Sequence, residues 1–129
     1  GVVGLQEVDL NVPRSKNIDQ PAEFWKQTGM FGSFINSIEL NGGLYGNANL
    51  IRWMCVTQSK LLPNPDDGER RRVIKDEIKF TKQHSAFYFL NTHFDHRPKE
   101  DTRLTSAKFI NEWTKQHGDT PMIMVGDFN

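Results

Sequence analysis

One cysteine in 129 residues, Cys55, leaves no partner for an internal disulfide and says little about redox compartment. An excess of one charge is missing too: sixteen Lys and Arg balance sixteen Asp and Glu, for a formal net charge of zero. That argues against a strongly basic, nonspecific nucleic-acid binder and leaves only a local basic patch open. No apolar run approaches the ~20 residues of a membrane-spanning helix. Internal repeats and low-complexity stretches are also missing. There is no Met at the start: Gly1 runs straight into an apolar stretch, and the chain stops at Asn129 inside a turn. It therefore reads as an internal piece of a larger domain, in which the lack of a leader peptide carries no information. The 25% charged and 36% apolar residues that are present suit a soluble globular unit with a real core.

The last nine residues, Pro121-Met-Ile-Met-Val-Gly-Asp-Phe-Asn129, hold the strongest local signal. Met122 to Val125 read as a short buried strand, and Gly126 permits a sharp exit. In extended backbone Asp127 and Asn129 share one side, where a carboxylate and an amide can hold a divalent cation or orient a water. The plainer reading is a strand followed by an Asx-rich turn. Upstream, residues 2–7 read as a buried strand ending in Gln6 and Glu7, and residues 9–20 as a loop. Asp19 caps a helix over 21–28 that Gly29 ends, with Ala22, Phe24 and Trp25 on its apolar side. Strands are expected over 31–40, 48–52 and 55–62, with a turn at Asn41-Gly42-Gly43 and a loop over 63–68. Residues 72–80 and 86–92 form a hairpin around a polar turn at Lys82 to Ser85. A loop over 97–101 follows. In the helix expected over 102–116, Leu104, Ala107, Ile110 and Trp113 form the apolar face, and Gly118 ends it.

A helix of that length between two strands makes them parallel, so their carboxyl ends lie on one rim of the sheet. His93 and Asp95 leave one strand there, Asp127 and Asn129 the other, and Glu7 ends a third. Ligands of α/β sheets bind outside such strand ends, so three ends carrying chelating groups point to one site. Each residue has a bland alternative. Glu7 is a hard-oxygen magnesium ligand or an exposed strand-end Glu. His93 is an acid, a phosphate contact, a metal ligand or a rim histidine held by neighbours. Asp95 orients His93 or caps the next loop. Of Arg70, Arg71 and Arg72, one could reach a phosphate, but the run reads mostly as a solvated face. Asn47 and Asn49 contact substrate or shape a turn, and Arg103 faces the rim or solvent. Trp25, Trp53 and Trp113 read as core or edge residues, not as a base-stacking platform. His93-Phe-Asp-His96 resembles part of a metallo-β-lactamase zinc run, but Asn91 stands where another His is needed.

Taken in order, Gly4-Leu-Gln-Glu7, Gly46-Asn-Ala-Asn-Leu-Ile-Arg52, Asn91-Thr-His-Phe-Asp95 and Gly126-Asp-Phe-Asn129 resemble the endonuclease/exonuclease/phosphatase superfamily across essentially the whole chain. The resemblance implies an α/β fold: a DNase I-like two-sheet sandwich with outer helices, here incomplete at both ends. Residues 1–129 would be a partial domain lacking the first strand, with its metal-binding Asn, and the C-terminal part, with its Ser-Asp-His motif. It implies Glu7 as metal ligand, His93 as the histidine at the scissile phosphate, and Asp127 and Asn129 as the pair that orients water and phosphate and supports a metal. Asn47 and Arg103 are candidate substrate contacts. The implied reaction is hydrolysis of a phosphoester in nucleic acid, a small phosphorylated molecule or a lipid, dependent on Mg²⁺ or Mn²⁺. The chain alone is expected to be feebly active or inactive, and a monomer. The rival readings are a noncatalytic binding module of the same fold and a zinc metallohydrolase.

Overall fold

The computed structural model describes residues 1–79 and 85–129. Seven strands and two α-helices follow in the order β1 (Val2–Leu10), α1 (Gln20–Thr28), β2 (Phe31–Leu40), β3 (Gly43–Ile51), β4 (Cys55–Leu61), β5 (Arg72–Lys79), β6 (Ala86–His93), α2 (Asp101–Lys115) and β7 (Met122–Asp127). One sheet has the antiparallel order β1-β3-β2, the other the order β4-β5-β6-β7. The two sheets pack face to face, with β1 and β3 against β6, β1 against β7, and β2 and β3 against β5. This is the expected α/β sandwich. The strand–helix–strand expectation also holds, because β6 and β7 pair in parallel across α2. The antiparallel β5–β6 hairpin is present, while Phe80 and the expected turn as far as His84 lie outside the described residues.

Local chemistry accounts for the element ends. Asp19 accepts the Ala22 N–H at 3.0 Å, and Gly29, at φ 66°, closes α1 by donating its N–H to the Trp25 carbonyl. Asn41 and Gly42 take positive φ, and the chain doubles back into β3 directly, so that strand starts at Gly43 and not at residue 48. β1 likewise runs past residue 7 to Leu10. Its pairing with β3 skips register between Leu5 and Val8, and Glu7 sits in this bulge at φ 56°. The first turn of the expected loop is therefore strand, followed by a short 3-10 turn at Pro13–Ser15.

Two expected apolar faces are drawn differently. On α2 the buried residues are Thr102, Ser106 and Ile110, with Phe109 and Trp113 half-buried beside them, while Leu104 is 54% exposed. A spacing of three drifts round a helix of 3.6 residues per turn, so Leu104 and Trp113, nine apart, lie roughly 180° from each other. On α1, Ala22 is exposed. β7 is also not a buried strand: it is outermost in its sheet, and Met122, Ile123 and Met124 are 36–52% exposed. Apolar composition alone does not distinguish an edge strand from a central one.

The interior changes character along the strands. Ile51, Ile78 and Phe89 form an apolar cluster between the sheets at one end. A polar seam follows. Asn91 donates to the carbonyls of Leu5 and Ala48 and to Asn49 Oδ1, and accepts from Gln6. Asn49 donates to the fully buried Asp76 carboxylate at 2.6 Å, which also accepts from Ser33 and Thr57. At Gly4 the layers approach so closely that a Cβ would lie 2.5 Å from Val125 Cγ2. On the outer face of the larger sheet, Ile110 of α2 packs on Leu62, Val73, Leu90 and Phe94.

Candidate active site

Beyond the polar seam, β6 and β7 end together. Their register sets His93 opposite Asp127, with His93 Nε2 3.9 Å from Asp127 Oδ2. The pairing continues one residue further, where the Phe94 N–H donates to the Asp127 carbonyl. Asn129 is held by the turn and not by strand alternation. At φ 51° its N–H donates to Asp127 Oδ1 at 3.0 Å, and its Nδ2 donates to the Phe94 carbonyl at 3.0 Å. Its amide oxygen has no partner among the described residues. Glu7 reaches the same rim from the other sheet, and its negative charge is felt at His93, Tyr45 and Arg14. The bulge accounts for this placement, since an extra residue re-aims a side chain out of the pleat. The structure thus brings together Glu7, His93, Asp127 and Asn129, although Glu7 comes from within a strand and not from its end.

The other two expected contacts are not brought to the cluster. Asn47 lies opposite the bulge but is buried, with its Nδ2 donating to the Arg72 carbonyl between the sheets at 3.4 Å. Arg103 spends its guanidinium on the carbonyls of Asp95, Arg97 and Pro98, stapling the loop after β6 to the start of α2. Asp95 does not orient His93. It is buried and paired with Arg97 Nε. Asn49 is spent in the seam. Trp113 lies against Lys75, and Trp25 covers Gly32, as edge packing requires.

The arginine run, which reads mostly as a solvated face with one phosphate contact open, divides in the structure. Arg70 is exposed, but Arg71 is 7% exposed. Its Nη1 donates to His93 Nδ1 at 3.0 Å and pairs with Glu69 at 3.0 Å, while its Nη2 donates to His96 Nδ1 at 3.4 Å. Its Nε is buried without a partner among the described residues. Burial, followed by the Arg71 cation, pushes the His93 imidazolium below the usual histidine range, against the pull of Asp127, Glu7 and Glu69. Burial in turn pushes the Tyr45 phenol up. The middle arginine lies just before β5, and nothing in the run of three identical letters distinguishes it.

Among the described residues no three His, Cys, Asp or Glu side chains converge as a metal cluster. Magnesium needs less: one or two carboxylates, with waters and substrate oxygens completing its shell. The Glu7 carboxylate, which takes no hydrogen bond or ion pair among the described residues, fits that requirement together with Asp127 and the Asn129 amide oxygen. Zinc fits poorly, because it takes three or four protein ligands. The permanent cation of Arg71 also occupies the Nδ1 side of both His93 and His96. No helix is long and apolar enough to cross a membrane among the described residues.

No family model and no curated protein matches the chain. Solved structures do. The human Nocturnin catalytic domain with bound sulfate superposes with a TM-score of 0.76 at 20% identity, over 99% of this chain and 51% of that one. A mannosyl-6-phosphatase of Bacteroides thetaiotaomicron gives 0.74 at 21% identity, over 99% and 51%. An endonuclease/exonuclease/phosphatase of Bacteroides vulgatus gives 0.77 at 23% identity, again over 99% and 51%. The chain spans about half the length of each of these structures. It has the two-sheet α/β sandwich fold of the endonuclease/exonuclease/phosphatase structures.

Proposed function

We propose that this chain carries part of the active site of a divalent-metal-dependent phosphoesterase, in which water attacks phosphorus in a phosphomonoester or phosphodiester. The observation that carries the reading is the parallel register that sets His93 against Asp127 on the rim reached by Glu7. A protein of the same fold is a mannosyl-6-phosphatase, which supports a phosphoester as the substrate class.

Glu7, with Asp127 and Asn129, would hold the Mg²⁺ or Mn²⁺. When bound, the ion would offset phosphate charge and stabilise the charge that develops in the transition state. The half-exposed Asp127 carboxylate accepts a hydrogen bond from the attacking water and aims it. Asn129, fixed by two hydrogen bonds, keeps that carboxylate and its own amide oxygen on the rim. His93 contacts a phosphate oxygen from a partly desolvated position, where a hydrogen bond is stronger than in water.

Two measurements test this. Calorimetry with MnCl₂ on the chain should show binding that Glu7→Gln abolishes. In the longest natural protein that contains these residues, Mg²⁺-dependent release of phosphate or alcohol should fall about a hundredfold or more in Asp127→Ala. The 129-residue chain by itself should turn over feebly or not at all. Turnover indifferent to chelators, or tight zinc lost on changing His93 and His96, would sink the reading. Metal binding without turnover in the longer protein would favour the binding module.

A further inference from the structure

We infer that Arg71 is a positioning residue that selects the tautomer of His93, so that the imidazole presents Nε2–H, a hydrogen-bond donor, to the substrate. A guanidinium carries only donors and does not lose its proton in proteins. The imidazole nitrogen 3.0 Å from Arg71 Nη1 must therefore be the acceptor, which leaves Nδ1 of His93 bare. A neutral imidazole has one N–H, which then resides on Nε2, the nitrogen facing Asp127 at the rim. The same argument applies to His96 through Nη2.

Arg71 is itself held. Its Nη1 forms an ion pair with Glu69 at 3.0 Å, its guanidinium borders the Tyr45 phenol, and only 7% of the residue is exposed. Glu69 and His93 share one nitrogen of the fork, and His96 takes the other. The acidic residue commonly found orienting a catalytic histidine would accept from Nδ1–H and leave Nε2 as a base. Here a cation stands in that place and reverses the arrangement. His93 is thereby suited to donate to a phosphate oxygen and unsuited to take a proton from water. This inference rests on the phosphoesterase reading only for its consequence, not for the tautomer.

The test is a long-range ¹H–¹⁵N spectrum of the full chain near neutral pH, with the four histidines assigned by single His→Gln variants. His93 and His96 should each show a pyridine-like Nδ1 and a pyrrole-like Nε2. Arg71→Met should convert His93 to a mixture of tautomers while His117, on the far side of the larger sheet, is unchanged. Arg71→Lys, which keeps a donor, should restore the pattern at His93. In the longer protein Arg71→Met should lower kcat about 10- to 100-fold, as loss of an orienting partner does, with KM little changed. A protonated Nδ1 on His93 in the wild type would overturn the inference, even if Arg71→Met fails to fold. So would an unchanged His93 pattern in a folded Arg71→Met. The expected tautomer in a longer protein without turnover would count against the phosphoesterase and leave the Arg71 assignment standing.

Discussion

Asp76 is a carboxylate sealed between two sheets, and its fully buried oxygens are satisfied by Asn49, Ser33 and Thr57 instead of by water. Asp76→Ala would leave an amide and two hydroxyls facing a void. Leaving a buried donor without its acceptor costs about 1–3 kcal/mol, which urea denaturation of the variant would read as a lower midpoint. Cys55 borders the same carboxylate. Burial, with the Asp76 charge second, pushes its thiol above the ordinary range, so alkylation at pH 8 should be slower than for an exposed cysteine. Urea at unfolding concentrations should restore a normal rate. At this scale the sequence was legible where chemistry and position coincide: His93 and Asp127 end strands that apolar runs announce, whereas Asn129 is placed by the turn that follows. It was illegible where only packing distinguishes neighbours. Arg70, Arg71 and Arg72 look alike as letters, and only the packing of the segment just before β5 against His93 and His96 buries the middle one. Glu7 was expected at a strand end and lies instead in a bulge within β1, which no glycine marks in the sequence.

The β6–α2–β7 unit carries two consequences at the scale of the element. Gly126 lies where a Cβ would meet the Thr92 carbonyl oxygen at 2.2 Å, a backbone atom that cannot rotate away. Gly126→Ala should therefore force β7 away from β6, opening the His93–Asp127 pairing. A loss of about 1–3 kcal/mol in stability is expected from such overpacking, together with weakened Mn²⁺ binding by calorimetry. At the other end of the unit, Lys75 of β5 is buried under Trp113 and Tyr88, and its Nζ lies 2.5 Å from Nε2 of His117, just past α2. Burial and then the Lys75 cation hold His117 below its usual 6.5, against a weaker pull from Glu77. The unfolded chain then binds more protons than the folded one between that lowered value and about 6.5, so stability rises with pH through this window and is lost on acidification. His93 acts in the same direction. The melting temperature should fall as pH drops from 7 towards 5, and His117→Gln should flatten part of that slope. A profile flat across the range would contradict both histidine assignments. The parallel crossover was readable from element order and helix length alone. The face of α2 was not, because a count of every third residue follows no single side of a helix.

For the molecule as a whole, the unbalanced feature is the β7 side. Its outer backbone edge has no strand beside it among the described residues, and Met122, Ile123 and Met124 are exposed. Between β7 and α2 an apolar recess of about 340 Å³ is lined by Leu90, Phe94, Ile110, Met122, Met124 and Phe128. Edges of this kind recruit other strands. The chain should therefore associate as its concentration rises, against the simple expectation of a monomer, and Ile123→Lys should suppress this in light scattering without lowering the melting temperature. That the fold could be read from four short motifs, although no family model matches, reflects where they lie: each belongs to a strand of the sandwich, and three of them reach one rim while residues 46–51 line the interior. The polar seam has a further effect. An oily interface lets two sheets slide into near-equivalent alignments, but amide and carboxylate partners are all met in only one. Glu7 belongs to one sheet, and His93 and Asp127 to the other. The seam therefore works as a vernier between two halves of an instrument, and an error there would appear first as a misaimed reaction, before any loss of fold.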